Sequence, residues 1–474
     1  MRRPQGTGLY DPDHDGQDHD GQDHDGQDHD GPDHDGQDQD DQEHPTRRSN
    51  TDHMAHLIAR FRIRGLGFVA RLAPARTPFM LTGPGSSVEL ARLIADRGAR
   101  SVIVVTDGVL VRLGVVAPVV TALKDAGLAV TVFSDVRPDP GIDIVMAGVQ
   151  QLRMSGATAV LAVGGGSPID TAKAMIACDA GGRRPEDLDG YFKVRGPVLP
   201  FFAVPTTAGS GSEVTIASVV TDPGGGRKFA IVDNKLVPAA IALDPNLMVG
   251  LPQHVTVAAG MDALTHAIES HLSTLSTPAT RALSVAAARV IFRDLPRACV
   301  DGRDIAARQS LAVASCLAGL AFTKASVGYV HAIAHQLGPL YHLTHGYLNA
   351  ILLPYVLEFS MDGATPRMAE LAVACGLGEE GDDPDSLAIS LVAGIRRLNA
   401  DIGLPPTIEQ IAAADIPEIV RRALAEAHGT YPVPRYMSAT DCETVVRRAA
   451  GRTKVAATGH HAPTDGATPE NEKV

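Results

Sequence analysis

Near residue 244 the hydrophobic pattern of this chain changes period, so it must build two kinds of structure one after the other. Before that point short apolar runs alternate with amphipathic stretches. Residues 101–106 (SVIVVT), 129–133 and 159–163 read as strands, and 115–126, 142–154 and 168–178 as helices. Such alternation wires a parallel sheet through crossover helices. A β-hairpin is expected next, with 214–221 and 228–232 flanking the turn PGGGR. After Asp244-Pro245 the strand signals fade, and Ala/Leu-rich helical patterns follow at 253–273, 277–294, 304–322, 327–337, 347–361, 383–400 and 416–427. The expectation is an α/β domain with a parallel sheet over 54–243 and an all-α domain over 244–450.

The remaining segments cannot build a core. Residues 13–38 repeat the unit Asp-His-Asp-Gly-Gln, with Pro in place of Gln at position 32, and hold no aliphatic or aromatic side chain to offset chain entropy. Residues 1–53 and 451–474 are therefore read as disordered tails, and Met54 as a candidate natural start. The repeat also accounts for the charge. The chain carries −13, yet residues 11–44 hold fourteen Asp, one Glu and no Lys or Arg, so everything else sums to +2. A nearly neutral folded part offers no electrostatic argument for a nucleic-acid partner. Five cysteines lie far apart with no CxxC pair, which argues against a disulfide framework and for a reducing, cytoplasmic setting. No apolar run follows the two N-terminal arginines, so no secretory signal is read there. Residues 325–357 lack Asp, Glu, Lys and Arg over a length that could span a bilayer, but four histidines and two prolines interrupt them. They read as a buried, histidine-bearing core rather than a membrane segment.

Three motifs carry chemistry. Gly164-Gly165-Gly166-Ser167-Pro168 follows the apolar run AVLAV and opens a helix, where glycines let the backbone approach a pyrophosphate and free amides favour the anion. A tight strand-to-helix turn would use the same residues, and the run does not match GxGxxG. Residues 205–215 (PTTAGSGSEVT) bring hydroxyls and small side chains that could line a nucleotide channel or form an ordinary polar loop. In Gly260-Met261-Asp262-Ala263-Leu264-Thr265-His266, Asp262 and His266 share a helix face at i and i+4, as do His331 and His335 further on, with His342 and His345 close behind. One carboxylate with two or three imidazoles suits a divalent iron or zinc site with an open position. A single core histidine is more simply a hydrogen-bonded one; it is the cluster that argues for metal.

The motifs GGGSPIDTAK, PTTAGSGSEVT, GMDALTHAIES and VHAIAHQLGPLYHLTHGYLNAILLP occur in this order, and with them the chain resembles the iron-containing (group III) alcohol dehydrogenase family over about residues 81–450. The resemblance implies a dinucleotide-binding α/β domain and a helical metal-binding, catalytic domain. It implies metal ligands at Asp262, His266, His331 and His345, and a substrate- and nicotinamide-lining role for His335. It implies pyrophosphate contacts at Gly164, Gly165, Gly166 and Ser167, and further cofactor contacts at Thr206, Thr207, Ser210 and Lys228. Asp107, at the end of SVIVVTD, matches the acidic residue that meets the adenosine ribose, which implies NAD over NADP. His342 has no such role and reads as supporting structure. The segment 431–437, YPVPRYM, departs from the Asn-Pro-Arg-like sequence implied there.

The expected function is oxidation of a small primary alcohol or diol, or reduction of its aldehyde, with NAD and a divalent ion, Fe²⁺ foremost and Zn²⁺ or Mn²⁺ alternatives. A homo-oligomer, a dimer or larger, is expected. Two other readings remain at this stage. A sugar-phosphate cyclase of the dehydroquinate synthase type shares the two-domain plan, but needs Lys and Arg groups that 325–357 does not offer. A metal buffer would instead centre on the Asp/His repeat.

Overall fold

In the computed structural model, which describes residues 76–222 and 227–452, the apolar runs of the first half pair into one six-stranded sheet. Its strands are β1 (Phe79–Thr82), β2 (Ser101–Asp107), β3 (Ala129–Val136), β4 (Ala159–Gly164), β6 (Phe201–Pro205) and β9 (Ala240–Leu243). They lie in the order β1-β9-β6-β4-β2-β3, and every pairing is parallel. The chain runs from β2 outward to β3, then returns on the other side of β2 as β4. The order therefore reverses between β2 and β4, and a doubly wound sheet opens a crevice at the carboxyl ends of the strands at such a point.

Helices cover both faces of this sheet: α1 (Ser86–Asp96), the short α2 (Gly108–Arg112), α3 (Ala117–Asp125), α4 (Ile142–Ser155) and α5 (Gly166–Gly181). Alternate strand residues point to opposite faces. Val102, Val104, Leu161, Val163, Phe202 and Val204 pack with Leu90 and Ile94 of α1 and Val119 and Leu123 of α3. Ile103, Val105, Val160, Ala162, Phe201 and Ala203 pack with Val145 and Val149 of α4 and Ile169 and Met175 of α5. Burial on both faces explains why β4, β6 and β9 read as unbroken apolar runs. Four or five such residues bounded by proline carry no period, and β6 and β9 escape a reading based on period.

The expected hairpin exists as β7 (Ala217–Asp222) and β8 (Arg227–Val232), antiparallel, with the two-residue β5 (Gly190–Tyr191) beside β8. Its first strand begins at Ala217, not at residue 214. Lys173 of α5 is buried, and its ammonium donates to the carbonyls of Ser212, Thr215 and Ala217 and to the Thr215 hydroxyl. Residues 212–215 curl around that cation instead of extending. The acidic repeat, Met54, most of the PGGGR turn and the tail beyond residue 452 lie outside the described residues.

The second half is helical: α6 (Gln253–Leu272), α7 (Pro278–Val300), α8 (Ile305–Ala325), α9 (Tyr329–Tyr341), α10 (His345–Ala374), α11 (Pro384–Asp401), α12 (Ile416–Thr430) and α13 (Ala439–Ala449). Three helix ends lie well beyond expectation, the first being that of α7, which runs past Pro296 to Val300 and not to 294. α9 continues through Gly338-Pro339 to Tyr341, although Pro339 has no amide hydrogen to donate, and is closed by His342, which adopts a left-handed φ of 54°. α10 runs to Ala374 although Pro354 and Pro366 lie inside it. The uncharged stretch 325–357 is thus divided between α9, a turn and α10. By length and composition α8 could cross a membrane; in the fold its Ala307, Leu311, Ala314 and Ala318 join the helical core, and its Ala312 and Cys316 join the core under the sheet. All of the described residues fall within one compact unit. The seam is tight: a Cβ on Gly211 would lie 2.8 Å from Gly319 Cα of α8.

Candidate active site

A cavity of about 570 Å³ is lined both by Gly166, Ser167, Ser210 and Lys228 and by Asp262, His266, His331, His335 and His345. Its size is within the usual range for small-molecule and cofactor sites. Asp262 and His266 project from one face of α6, His331 and His335 from one face of α9, and His345 is the first residue of α10. α10 can reach this point because it begins His345-Gly346: any Cβ at Gly346 would overlap the Ala258 carbonyl oxygen of α6.

Three imidazoles surround one carboxylate oxygen. The Nε2 atoms of His345, His331 and His266 lie 3.5, 3.8 and 3.9 Å from Asp262 Oδ1. Ligands at zinc-like distances in a tetrahedral set stand about 3.4 Å apart, so this spacing is close to that of a bound ion. Donor atoms of Asp262, His266 and His331 all lie within 4.8 Å of one another. Burial, reinforced by His266 and His335, holds the His331 imidazole well below its usual pKa; burial does the same at His345, against the pull of Asp262. Neutral imidazoles keep the lone pairs that a cation needs. The His266 Nδ1 and Asn349 Oδ1 atoms are buried without a hydrogen-bond partner. Asn349, one turn beyond His345, aims its Nδ2 at Asp262 Oδ1 (2.9 Å), His345 Nε2 (3.0 Å) and His331 Nε2 (3.4 Å), meeting the same lone pairs that an ion would take. A divalent ion fits this donor set.

The supports of the site come from residues to which no role is given by the sequence alone. Glu269, three residues after His266 in the same helix, is buried; its Oε2 lies 2.6 Å from His331 Nδ1, and it accepts the Gly328 and Val330 amides. Burial raises its pKa to about 7, with those amides pulling the other way. Such a carboxylate fixes the ring of a metal-ligating histidine and its tautomer. The signal that could have found Glu269 is its spacing, seven residues after Asp262 and three after His266, which puts it on the ligand face of α6. Glu426 of α12 lies 2.7 Å from His335 Nδ1 and had no local signal, since 91 residues separate the two. His342 is exposed, caps the C-terminus of α9 and does not line the cavity.

On the cofactor side, α5 opens with Gly166 and Ser167, and no side chain caps its N-terminus. Its amides and the positive end of its dipole face the cavity, a ready site for a phosphate. Gly164 closes β4 at a φ of 157°, and the Thr206 amide donates to its carbonyl. A Cβ on Gly165 would come within 3.2 Å of Thr207 Oγ1, so Thr206 and Thr207 stand behind the glycine turn. Ser210 accepts from the Ser212 amide and lines the cavity. Lys228 pairs with Asp139 at 2.6 Å. Asp107 closes β2, across the switch point from Gly164, outside the cavity lining; its Oδ1 accepts the Val109 and Leu110 amides and so caps α2. Asp170, also unassigned by the sequence, lines the cavity with its carboxylate held by the Ser212 hydroxyl and the Val219 amide.

Residues 77–245 match the iron-containing alcohol dehydrogenase family, and residues 256–450 match the C-terminal part of the same family. The chain is 34% identical over 374 residues to an NAD-dependent methanol dehydrogenase from Bacillus methanolicus, an alignment spanning 78% of this chain and 98% of that protein. Its fold is similar to the crystal structure of a 1,3-propanediol oxidoreductase, with a TM-score of 0.77, 34% identity and coverage of 79% of this chain and 98% of that one. It is also similar to a sulfoacetaldehyde reductase from Bifidobacterium kashiwanohense in complex with NAD⁺, with a TM-score of 0.73, 28% identity and coverage of 80% and 98%.

Proposed function

The chain belongs to the iron-containing alcohol dehydrogenase family, and on that premise we propose that it exchanges hydride between NAD and a small primary alcohol or diol, or the corresponding aldehyde. The observation that carries this reading is the convergence of Asp262, His266, His331 and His345 in the wall of the same cavity that receives the N-terminus of α5. A divalent ion in that set, Fe²⁺ in this proposal with Zn²⁺ and Mn²⁺ suited to the same donors, supplies Lewis acidity toward the substrate oxygen.

The chain's own residues do the rest. The Gly166 and Ser167 amides hold the pyrophosphate, and Asp107 accepts from the ribose hydroxyls at the switch point. His335 takes the hydroxyl proton at Nε2: the substrate O–H bond breaks, an N–H bond forms, and the hydride leaves the same carbinol carbon for the nicotinamide. Its side chain is 32% exposed, so the proton can pass on to solvent. All five cysteines are free, which suits the reducing cytoplasm of this proposal.

The test is purification of the full chain, metal analysis, and NADH absorbance with a panel of small alcohols and diols. One ion per chain and turnover with at least one primary alcohol are expected. Full turnover in metal-free protein would overturn the reading.

A further inference from the structure

His335 is held by a carboxylate that is itself held from two sides. Glu426 Oε1 lies 2.7 Å from His335 Nδ1 and accepts the Tyr431 hydroxyl at 2.6 Å, while Oε2 accepts the Gln336 amide at 2.8 Å. Glu426 lies near the end of α12 and Tyr431 just beyond it, whereas Gln336 and His335 belong to α9, so the carboxylate joins two elements. Tyr431 is buried and lines the cavity beside His335; Glu426 does not line it. The His335 ring stacks on that of His345, with centroids 5.1 Å apart and planes 18° off parallel.

The chemistry of the donors sets the direction of these bonds. Burial alone would raise the Glu426 pKa, but the bonds from His335, Tyr431 and Gln336 outweigh it and hold the group below its usual range. An ionised carboxylate only accepts. Nδ1 of His335 must then be the donor, and the lone pair of the neutral ring resides on Nε2. With Nδ1 committed to Glu426, Nε2 is the nitrogen left for a substrate hydroxyl.

We propose that Glu426 is a positioning residue, which fixes His335 as the Nδ1–H tautomer in one ring orientation and so presents Nε2 to the substrate. This rests on the dehydrogenase reading above. Tyr431, the first residue of the segment 431–437 that departs from the Asn-Pro-Arg-like sequence, thereby has a task in holding Glu426.

Two readouts test it in the full chain. Glu426→Ala removes the acceptor. Glu426→Gln keeps a carbonyl oxygen for His335 and Tyr431; Gln336 keeps its bond to the Ala332 carbonyl and loses only the one to residue 426. Glu426→Ala is expected to lower kcat about 10- to 100-fold with unchanged KM for NAD and unchanged metal content, and Glu426→Gln to restore most of it. Unchanged kcat in Glu426→Ala, or an equal fall in both variants, would overturn the proposal. Independently, ¹⁵N shifts of the His335 imidazole in zinc-loaded protein, assigned by the signal missing from His335→Gln, should show Nδ1–H in wild type and Glu426→Gln. An Nε2–H tautomer in wild type overturns the proposal even if Glu426→Ala does not fold. If no alcohol is turned over while the Nδ1–H tautomer is seen, the functional reading fails and the positioning stands.

Discussion

His331 shows how a single residue is made into a ligand: its Nε2 faces Asp262, while its Nδ1 is tied to buried Glu269 at 2.6 Å. Replacing His331 or His345 with Ala should abolish stoichiometric metal and nearly all turnover, measured by metal analysis of purified protein. Glu269→Gln should instead weaken metal affinity by about 10- to 100-fold, since it disturbs the ring without removing a donor. Equal affinity in competition with a chelator would show that Glu269 has no part in holding the ring. At Asp107 a test of cofactor preference has to spare the helix cap. Its Oδ1 caps α2, and a cap removed by Gly or Ala costs stability of its own. Asp107→Ser keeps an oxygen for the cap and removes the charge that repels a 2′-phosphate. The ratio of kcat/KM for NADP to that for NAD should rise in this variant; an unchanged ratio would leave Asp107 with a capping role alone.

Among the helices, the start of α10 is the most exacting element. It delivers His345 and Asn349 to Asp262 only because Gly346 lets its backbone touch the Ala258 carbonyl of α6. Gly346→Ala should therefore cost about 1–3 kcal/mol or more through overpacking and lower the metal content with it, read from denaturant unfolding and metal analysis. Wild-type stability and metal content together would mean that the two helices part without consequence for the site. Helices α6, α8 and α11 are legible in the sequence because each has a cap or proline near its start and an unbroken run after it. α13 is less so: only Cys442, Val445, Val446 and Ala449 are buried in an otherwise polar segment leading into the tail.

For the whole molecule, an ion that binds only the folded chain adds to its stability. Stripping it with a chelator should lower the midpoint of thermal unfolding; the loss is about 4 kcal/mol for an ion held at a thousand times its Kd. His271 supplies a separate dependence on pH. It is fully buried near the end of α6, 3.2 Å from Glu370 but without hydrogen-bond geometry, and burial lowers its pKa to about 4 although Glu370 opposes this. Between about pH 6.5 and 4 the unfolded chain takes up a proton that the folded chain refuses, so stability should fall as pH drops through this window. Above it the group is neutral in both states and contributes no slope. Unfolding curves at pH 7.5, 6 and 5 should show a shallower decline for His271→Leu than for wild type, and identical declines would exclude His271 as the source.

The sequence alone determined what depends on neighbours along the chain. The change of period near residue 244 separates sheet from helices, the glycine run sits where a strand becomes a helix, and i, i+4 spacing pairs Asp262 with His266 and His331 with His335. Tertiary structure decided what depends on distance across the fold. Whether His345 joins the other ligands turns on how closely α10 approaches α6, and that contact is made by backbone atoms with no pattern in the sequence. The pairing of Glu426 with His335, and the buried Lys173 that bends residues 212–215 away from β7, are likewise set by which elements pack together. Hydrophobic period records only which face of an element is buried; the partner that a polar group meets there is chosen when the elements pack.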